Sequence, residues 1–316
     1  MWSFSLGYAG DSVTNRDALE EAGTFVVTVN PTAVKRWIAL EMKRLREASG
    51  HDRSAAAERI GKATTVIAHI ETARNLPAPA DLELLLALYG VPDRVQLFRE
   101  MVKRAKRGKD WWIGYKFKFE TVGMSELFLA LETGSARISS ADMLVVPGLF
   151  QTRDYALGIN QSGERRLTDE QIAAWLELRM TRQQMLDRSD APPRVWSILD
   201  EGVLRRQVGG PAVMREQLHH LAELAERPNI EIQVLPFSAG AHPATDGTFT
   251  IFDYPPEFIG DTGTVYIEGR HQPSYYESPE EVRDYRNIFE RLQIQAHKPD
   301  QSREFILSLA KEIREH

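Results

Sequence analysis

The 316-residue chain contains no cysteine. That excludes a disulfide framework, a thiolate nucleophile and any Cys-ligated metal, and it fits a reducing, cytoplasmic setting. No stretch reaches the roughly 20 apolar residues of a membrane span. Residues 1–10 hold no basic side chain and no long apolar run, so neither a membrane anchor nor a signal peptide is expected. A Gly-rich phosphate loop is also missing: Val208-Gly209-Gly210-Pro211 opens a helix but lacks the Lys-Ser/Thr pair of a P-loop. What is present is 42% hydrophobic residues, enough over this length for two domains with their own cores.

The net charge of −6 hides an asymmetry. Residues 1–30 hold one basic and four acidic side chains, residues 31–110 hold sixteen Lys and Arg against ten Asp and Glu, and the remainder is acidic. A basic block in an acidic chain is what a phosphate-binding module requires, or it is a solvated helical surface. Within residues 1–30, Thr24-Phe25-Val26-Val27-Thr28-Val29 has the β-branched composition of a strand. It either adds to a sheet elsewhere or rests on the surface as an extended arm.

Residues 31–92 read as a helical domain. Ile38 and Leu45, then Ala57 and Ile60, Ile67 and Ile70, and Leu82 and Leu85 recur at helical spacing and are expected to be buried. Asp52 is placed to cap a second helix, and Gly50, Gly61 and Gly90 follow apolar runs where helices end. Two short helices joined at Gly61 form a helix-turn-helix layout. Ala57-Glu58-Arg59-Ile60-Gly61 with Ile67 and Ile70-Glu71 resembles the Xre, lambda-repressor-like helix-turn-helix family. The resemblance implies that the helix after Gly61 enters the major groove of double-stranded DNA and presents Thr64, Thr65, Val66, Ala68 and His69. This chain departs from the family around these positions: members usually carry Ser, Lys, Ser and Arg near Thr65, Val66, Ala68 and His69, and Gly where this chain has Ala73. Such a face reads bases weakly. Affinity is therefore expected chiefly from backbone contacts by Arg36, Arg44, Arg53, Lys62 and Arg74.

Residues 93–116 read as a helix and basic linker, with Lys103-Arg104-Ala105-Lys106-Arg107-Gly108-Lys109 leading to Trp111-Trp112. The tryptophan pair is a packing anchor or a base-stacking platform. From 117 to 316 strands and helices mix irregularly, which indicates an α+β domain; its antiparallel sheet is expected to centre on residues 230–268, where Ile230, Ile232 and Val234 alternate. Trp175, Leu176 and Leu178 make an apolar helix face edged by Arg179 and Arg182. The stretches Leu144-Val145-Val146-Pro147-Gly148-Leu149-Phe150-Gln151-Thr152, Asp200-Glu201-Gly202-Val203-Leu204-Arg205-Arg206 and Val234-Leu235-Pro236-Phe237 resemble the uncharacterised C-terminal domain found behind Xre helix-turn-helices in WhiJ-like, antitoxin-like regulators of actinomycetes. That resemblance implies a transcription regulator, often with a small partner protein.

Enzyme chemistry finds little support. Glu216 and His220 are spaced as a ligand pair without an evident third ligand, and His219 points elsewhere. His242, Asp246, Glu268 and His271 cluster in sequence without a metal-ligand spacing. Arg205, Arg206, Asp200 and Glu201 read as a buried ion-pair network. The expectation is a cytoplasmic, homodimeric, DNA-binding regulator with no cofactor and no metal, whose C-terminal domain senses a small partner protein or ligand. The rivals are an antitoxin-like interaction module and a pathway-recruited binding protein or enzyme with a pocket in that domain.

Overall fold

The computed structural model describes residues 30–107, 109–112, 125–162, 167–189, 191–269 and 272–313. The strand expected at 24–29 lies outside them, as does His271. Helix α1 (Pro31–Ala48) starts where the Asn30 side chain accepts from the Ala33 amide at 2.7 Å and Pro31 occupies the first turn. Gly50, in the left-handed region at φ 76°, follows its end. Asp52 caps α2 (Arg53–Arg59), accepting from the Ala55 amide at 2.8 Å. The turn through Gly61, at φ 66°, leads into α3 (Thr64–Glu71), and α4 (Pro79–Leu88) begins at Pro79. Ile38, Leu45, Ala57, Ile67, Ile70, Leu82 and Leu85 are buried as their spacing predicts, whereas Ile60 is half-buried. In α5 (Val95–Arg107), Phe98, Met101, Val102 and Ala105 face inward, so the basic run is mostly this helix's solvent face. Trp111 and Trp112 pack edge to face at 5.7 Å, and Trp112 is buried, as a packing anchor.

After α6 (Glu126–Gly134) come β1 (Arg137–Asp142), α7 (Arg153–Ser162), α8 (Asp169–Gln183), β2 (Arg194–Asp200), α9 (Glu201–Arg205), α10 (Pro211–Leu224), β3 (Ile230–Leu235), β4 (Phe249–Asp253), β5 (Thr264–Ile267), β6 (Ser274–Tyr276), α11 (Pro279–Gln295) and α12 (Pro299–Glu312). The α+β class holds, but the sheet is mixed rather than antiparallel. Its order is β3-β2-β1-β4-β5-β6, with β1, β2 and β3 parallel and β1, β4, β5 and β6 antiparallel. The helices between β1 and β2 and between β2 and β3 are crossovers, which a parallel pair requires. They carry β3 to an edge, so of the strands within residues 230–268 only β4 lies at the centre, beside β1. The exposed edge of β3 is sealed by the start of α12: Ser302 Oγ accepts from the Val234 amide at 3.0 Å and the His297 amide donates to the Val234 carbonyl at 2.9 Å.

Alternate residues of the strands enter two cores. Ala141, Ile198, Ile251 and Val265 meet Val282, Phe289 and Leu292 of α11. On the other face Ile138, Val195, Ile232 and Phe252 join a core that continues without a break into the helical domain. Its junction is built on α1. Trp37 packs on Phe98 at 5.2 Å and edge-on to Phe258 at 5.5 Å. Asn30 Nδ2 donates to the Ala130 carbonyl at 2.9 Å. Gly134 is required small there, because a Cβ would meet Ala33 Cβ and Tyr254 Cε1 at 3.0 Å. No helix among the described residues is long and apolar enough to cross a membrane.

Candidate nucleic-acid interface and ligand cavity

Helix α3, the second helix of the helix-turn-helix layout, is held from its C-terminal end. Glu71, buried, accepts from Arg46 Nε at 2.5 Å and from Arg53 Nε at 2.7 Å, tying α3 to α1 and α2. Arg46 is itself buried and also donates to the His51 carbonyl at 2.8 Å. With Ile67 and Ile70 inward, α3 leaves Thr64 and Thr65 exposed and Val66, Ala68 and His69 half-buried. The five cations expected around this face are not equivalent. Arg36 turns to the C-terminal domain, where its Nε donates to Glu277 at 2.9 Å. Arg44 pairs with Glu41 at 2.6 Å, Arg53 with Glu71, and Lys62 with Asp81 at 2.6 Å. Arg74 is exposed and joins no ion pair among the described residues. Arg59, which the sequence reading did not single out, has the same character at the end of α2, beside the turn. Arg53 and Lys62 are themselves exposed but pair with buried carboxylates, Glu71 and Asp81, so a phosphate that recruits either cation shares it with that partner.

A second concave feature lies on the C-terminal domain, a cavity of about 290 Å³ where the sheet changes from parallel to antiparallel. Its floor is a polar row across three strands, in which Ser140 pairs with Thr250 and Thr250 with Tyr266; Ser197, paired with Ser140 on β2, is fully buried. Asp142, one step along β1, is buried and accepts from Ser140 Oγ at 2.6 Å and Ser197 Oγ at 2.7 Å. Burial pushes its carboxyl up to about 6, against the lowering effect of the two hydroxyls. One wall is α8. Arg182 there binds Glu132 of α6 through two hydrogen bonds, at 2.7 and 2.9 Å, and both side chains are buried. Arg179 stacks on Trp175 at 4.5 Å and donates from Nη1 to Gln151 Oε1 at 2.8 Å. The cationic edge that the sequence places beside an apolar helix face thus lines a cavity.

The opposite lip is the 146–152 segment, and its recurring residues have structural tasks. Gln151 Nε2 donates to the Val146 carbonyl at 2.6 Å, Gln183 Nε2 to the carbonyls of Gly148 and Gln151, and Gln217 Nε2 to that of Phe150. The Val146 amide donates to Tyr155 Oη. Gly148 admits the guanidinium ends, since a Cβ would meet Arg179 Nη1 at 2.8 Å and Arg182 Nη2 at 2.9 Å. Sequence reasoning missed Ser140, Asp142, Ser197 and Thr250. The available signal was polar residues inside strands flanked by apolar runs.

The remaining sequence candidates are dispersed. Glu268 stands at this cavity, while Asp246 lines a separate small pocket with Tyr285. Burial lowers the His220 pKa, Glu216 and His219 are exposed, and no group of three or more acidic or histidine ligands forms among the described residues. Of the network expected at 200–206, only Glu201 is buried: it accepts from Arg205 Nε at 2.6 Å and from the Phe237 amide at 2.8 Å, while Asp200 caps α9 through the Gly202 amide. Arg205 and Arg206 are exposed because α9 carries them past the rim of the domain.

Two family models match the chain. One, described as a domain of unknown function (DUF5753), covers residues 125–308, more than half of the chain; the other, a helix-turn-helix domain, covers residues 37–97. No curated protein and no solved structure matches.

Proposed function

The chain belongs to the DUF5753 family and carries a helix-turn-helix domain ahead of that region, and on that premise we propose that it is a DNA-binding transcription regulator whose C-terminal cavity senses a small ligand. The single observation that carries the reading is the continuity between the two parts. Helix α6 offers Phe128 and Glu132 to the cavity and Ala130 and Gly134 to α1. Helix α1 in turn holds the reading helix through Arg46 and Glu71. A ligand that moves α6 therefore has a chain of packed contacts to the DNA-reading face, and differential binding to two arrangements of that chain is what allosteric control needs.

In this reading the regulator belongs to the Xre type, acts in the cytoplasm and binds a two-fold DNA site as a homodimer. Thr64, Thr65, Val66, Ala68 and His69 face the major groove, and Arg53, Lys62 and Arg74, joined by Arg59, meet phosphates. Arg36 and Arg44 contribute less, being engaged with Glu277 and Glu41. The cavity favours a small molecule over a small partner protein as the effector, since its polar groups converge inside a recess. The test is binding of the full chain to DNA from upstream of its own gene against a random duplex of equal length. A complex formed preferentially with the upstream DNA is expected; equal binding to both would reject an operator-reading regulator.

A further inference from the structure

The chemistry of the effector follows from Arg179, and this inference rests on the sensing reading of the cavity. Arg182 and Glu132 satisfy each other bidentately. Arg179, one turn away on α8, is not matched in this way. Its Nη1 is taken by the neutral Gln151 amide, and its Nε is buried with no hydrogen-bond partner among the described residues. Among the described residues no carboxylate lies within ion-pair distance of it. Burial, reinforced by the neighbouring Arg182 charge, pulls its pKa down to about 9, which still leaves it cationic at neutral pH. A guanidinium that lines a cavity without a carboxylate partner is a planar fork suited to receive one, through two parallel hydrogen bonds. The stack on Trp175 and the bond to Gln151 fix the fork in place, so little side-chain freedom is lost on binding.

The rest of the recess sets the body of the ligand. Phe128, Val146, Leu149 and Phe252 make apolar walls, and the hydroxyls of Thr250 and Tyr266 offer hydrogen bonds from the floor. Glu132, Asp142 and Glu268 also line it, so a dianion such as phosphate meets more repulsion there than a monoanion does. We propose that this cavity binds a small organic monocarboxylate, its carboxylate held by Arg179 and its apolar body against Phe128, Val146 and Phe252.

The experiment is calorimetric titration of the full chain with hydrocinnamate, octanoate and salicylate, each beside its uncharged amide, followed by upstream-DNA binding with and without the acid. At least one acid is expected to bind at least about tenfold more tightly than its amide, the loss that follows from a charge-assisted hydrogen bond. Arg179→Met should remove that preference; Arg179→Lys, keeping the charge without the fork, should restore part of it. If Arg179→Met does not fold, the acid–amide comparison on the natural chain decides alone. Equal binding of acid and amide, no binding of any acid at millimolar concentration, or inorganic phosphate displacing the acid would overturn the proposal. Acid binding with unchanged DNA affinity supports the carboxylate site and overturns the sensing reading, so the two fail separately.

Discussion

Ala73 sits just after the reading helix with φ 59°, in the left-handed region that a Cβ disfavours. The family resembled by this segment usually has glycine there, and the fold has kept the backbone shape without the residue that adopts it most easily. Ala73→Gly should stabilise the chain by about 0.5–1 kcal/mol, the strain relieved less the extra backbone entropy of glycine; chemical denaturation reads this directly, and a destabilised variant would contradict it. Asp142 gives a prediction in pH. Its folded carboxyl is raised to about 6 by burial, above its ordinary value of 3.8, so the folded state holds the proton more tightly than the unfolded state. Stability from this group is fully present below pH about 4 and is lost as pH rises to about 6. Asp142→Asn should flatten the stability profile across that window, by on the order of 3 kcal/mol. A profile that keeps its slope in the variant would show that Asp142 is not the titrating group.

At the scale of elements, the helical domain was legible because its apolar residues recur at helical spacing and several helices begin or end on a recognisable residue: Asp52 at a start, Gly50 and Gly61 at ends. What holds α3 in place was not legible. The Arg46–Glu71 pair joins residues 25 apart, and no local period reports it. Removing one partner of a buried pair leaves the other charge uncompensated, so Glu71→Ala should cost about 3–5 kcal/mol and speed amide hydrogen exchange in α3 before the rest of the domain. Protection lost equally everywhere would argue against a local clamp. The sheet was misread for a related reason. The alternation at Ile230, Ile232 and Val234 reveals a buried face but not a neighbour, and only the crossover helices make β3 parallel to β2. The cavity was hidden too, because Ser140, Thr250 and Tyr266 become one row only through register across three strands. The 146–152 stretch was recognised as a recurring motif, yet its task as a wall tied by Gln151, Gln183 and Gln217 depends on helices far along the chain.

For the whole molecule, the shared core around Trp37 makes the two domains one folding unit. A single calorimetric transition is expected, and Trp37→Ala, which leaves a cavity between Phe98 and Phe258, should cost about 3–5 kcal/mol and separate the unfolding of the two parts. Two transitions in the unsubstituted chain would show that the domains do not stabilise each other. The central claim, that this chain regulates by binding DNA with backbone contacts dominant over base reading, is tested most directly by a salt titration of affinity for the upstream DNA. The full chain should bind with a steep salt slope. Arg59→Ala and Arg74→Ala should each lower that slope by about one unit and weaken upstream and random DNA alike, whereas Thr65→Ala should alter discrimination by at most about 1–2 kcal/mol. No binding to either DNA at low salt would contradict the account.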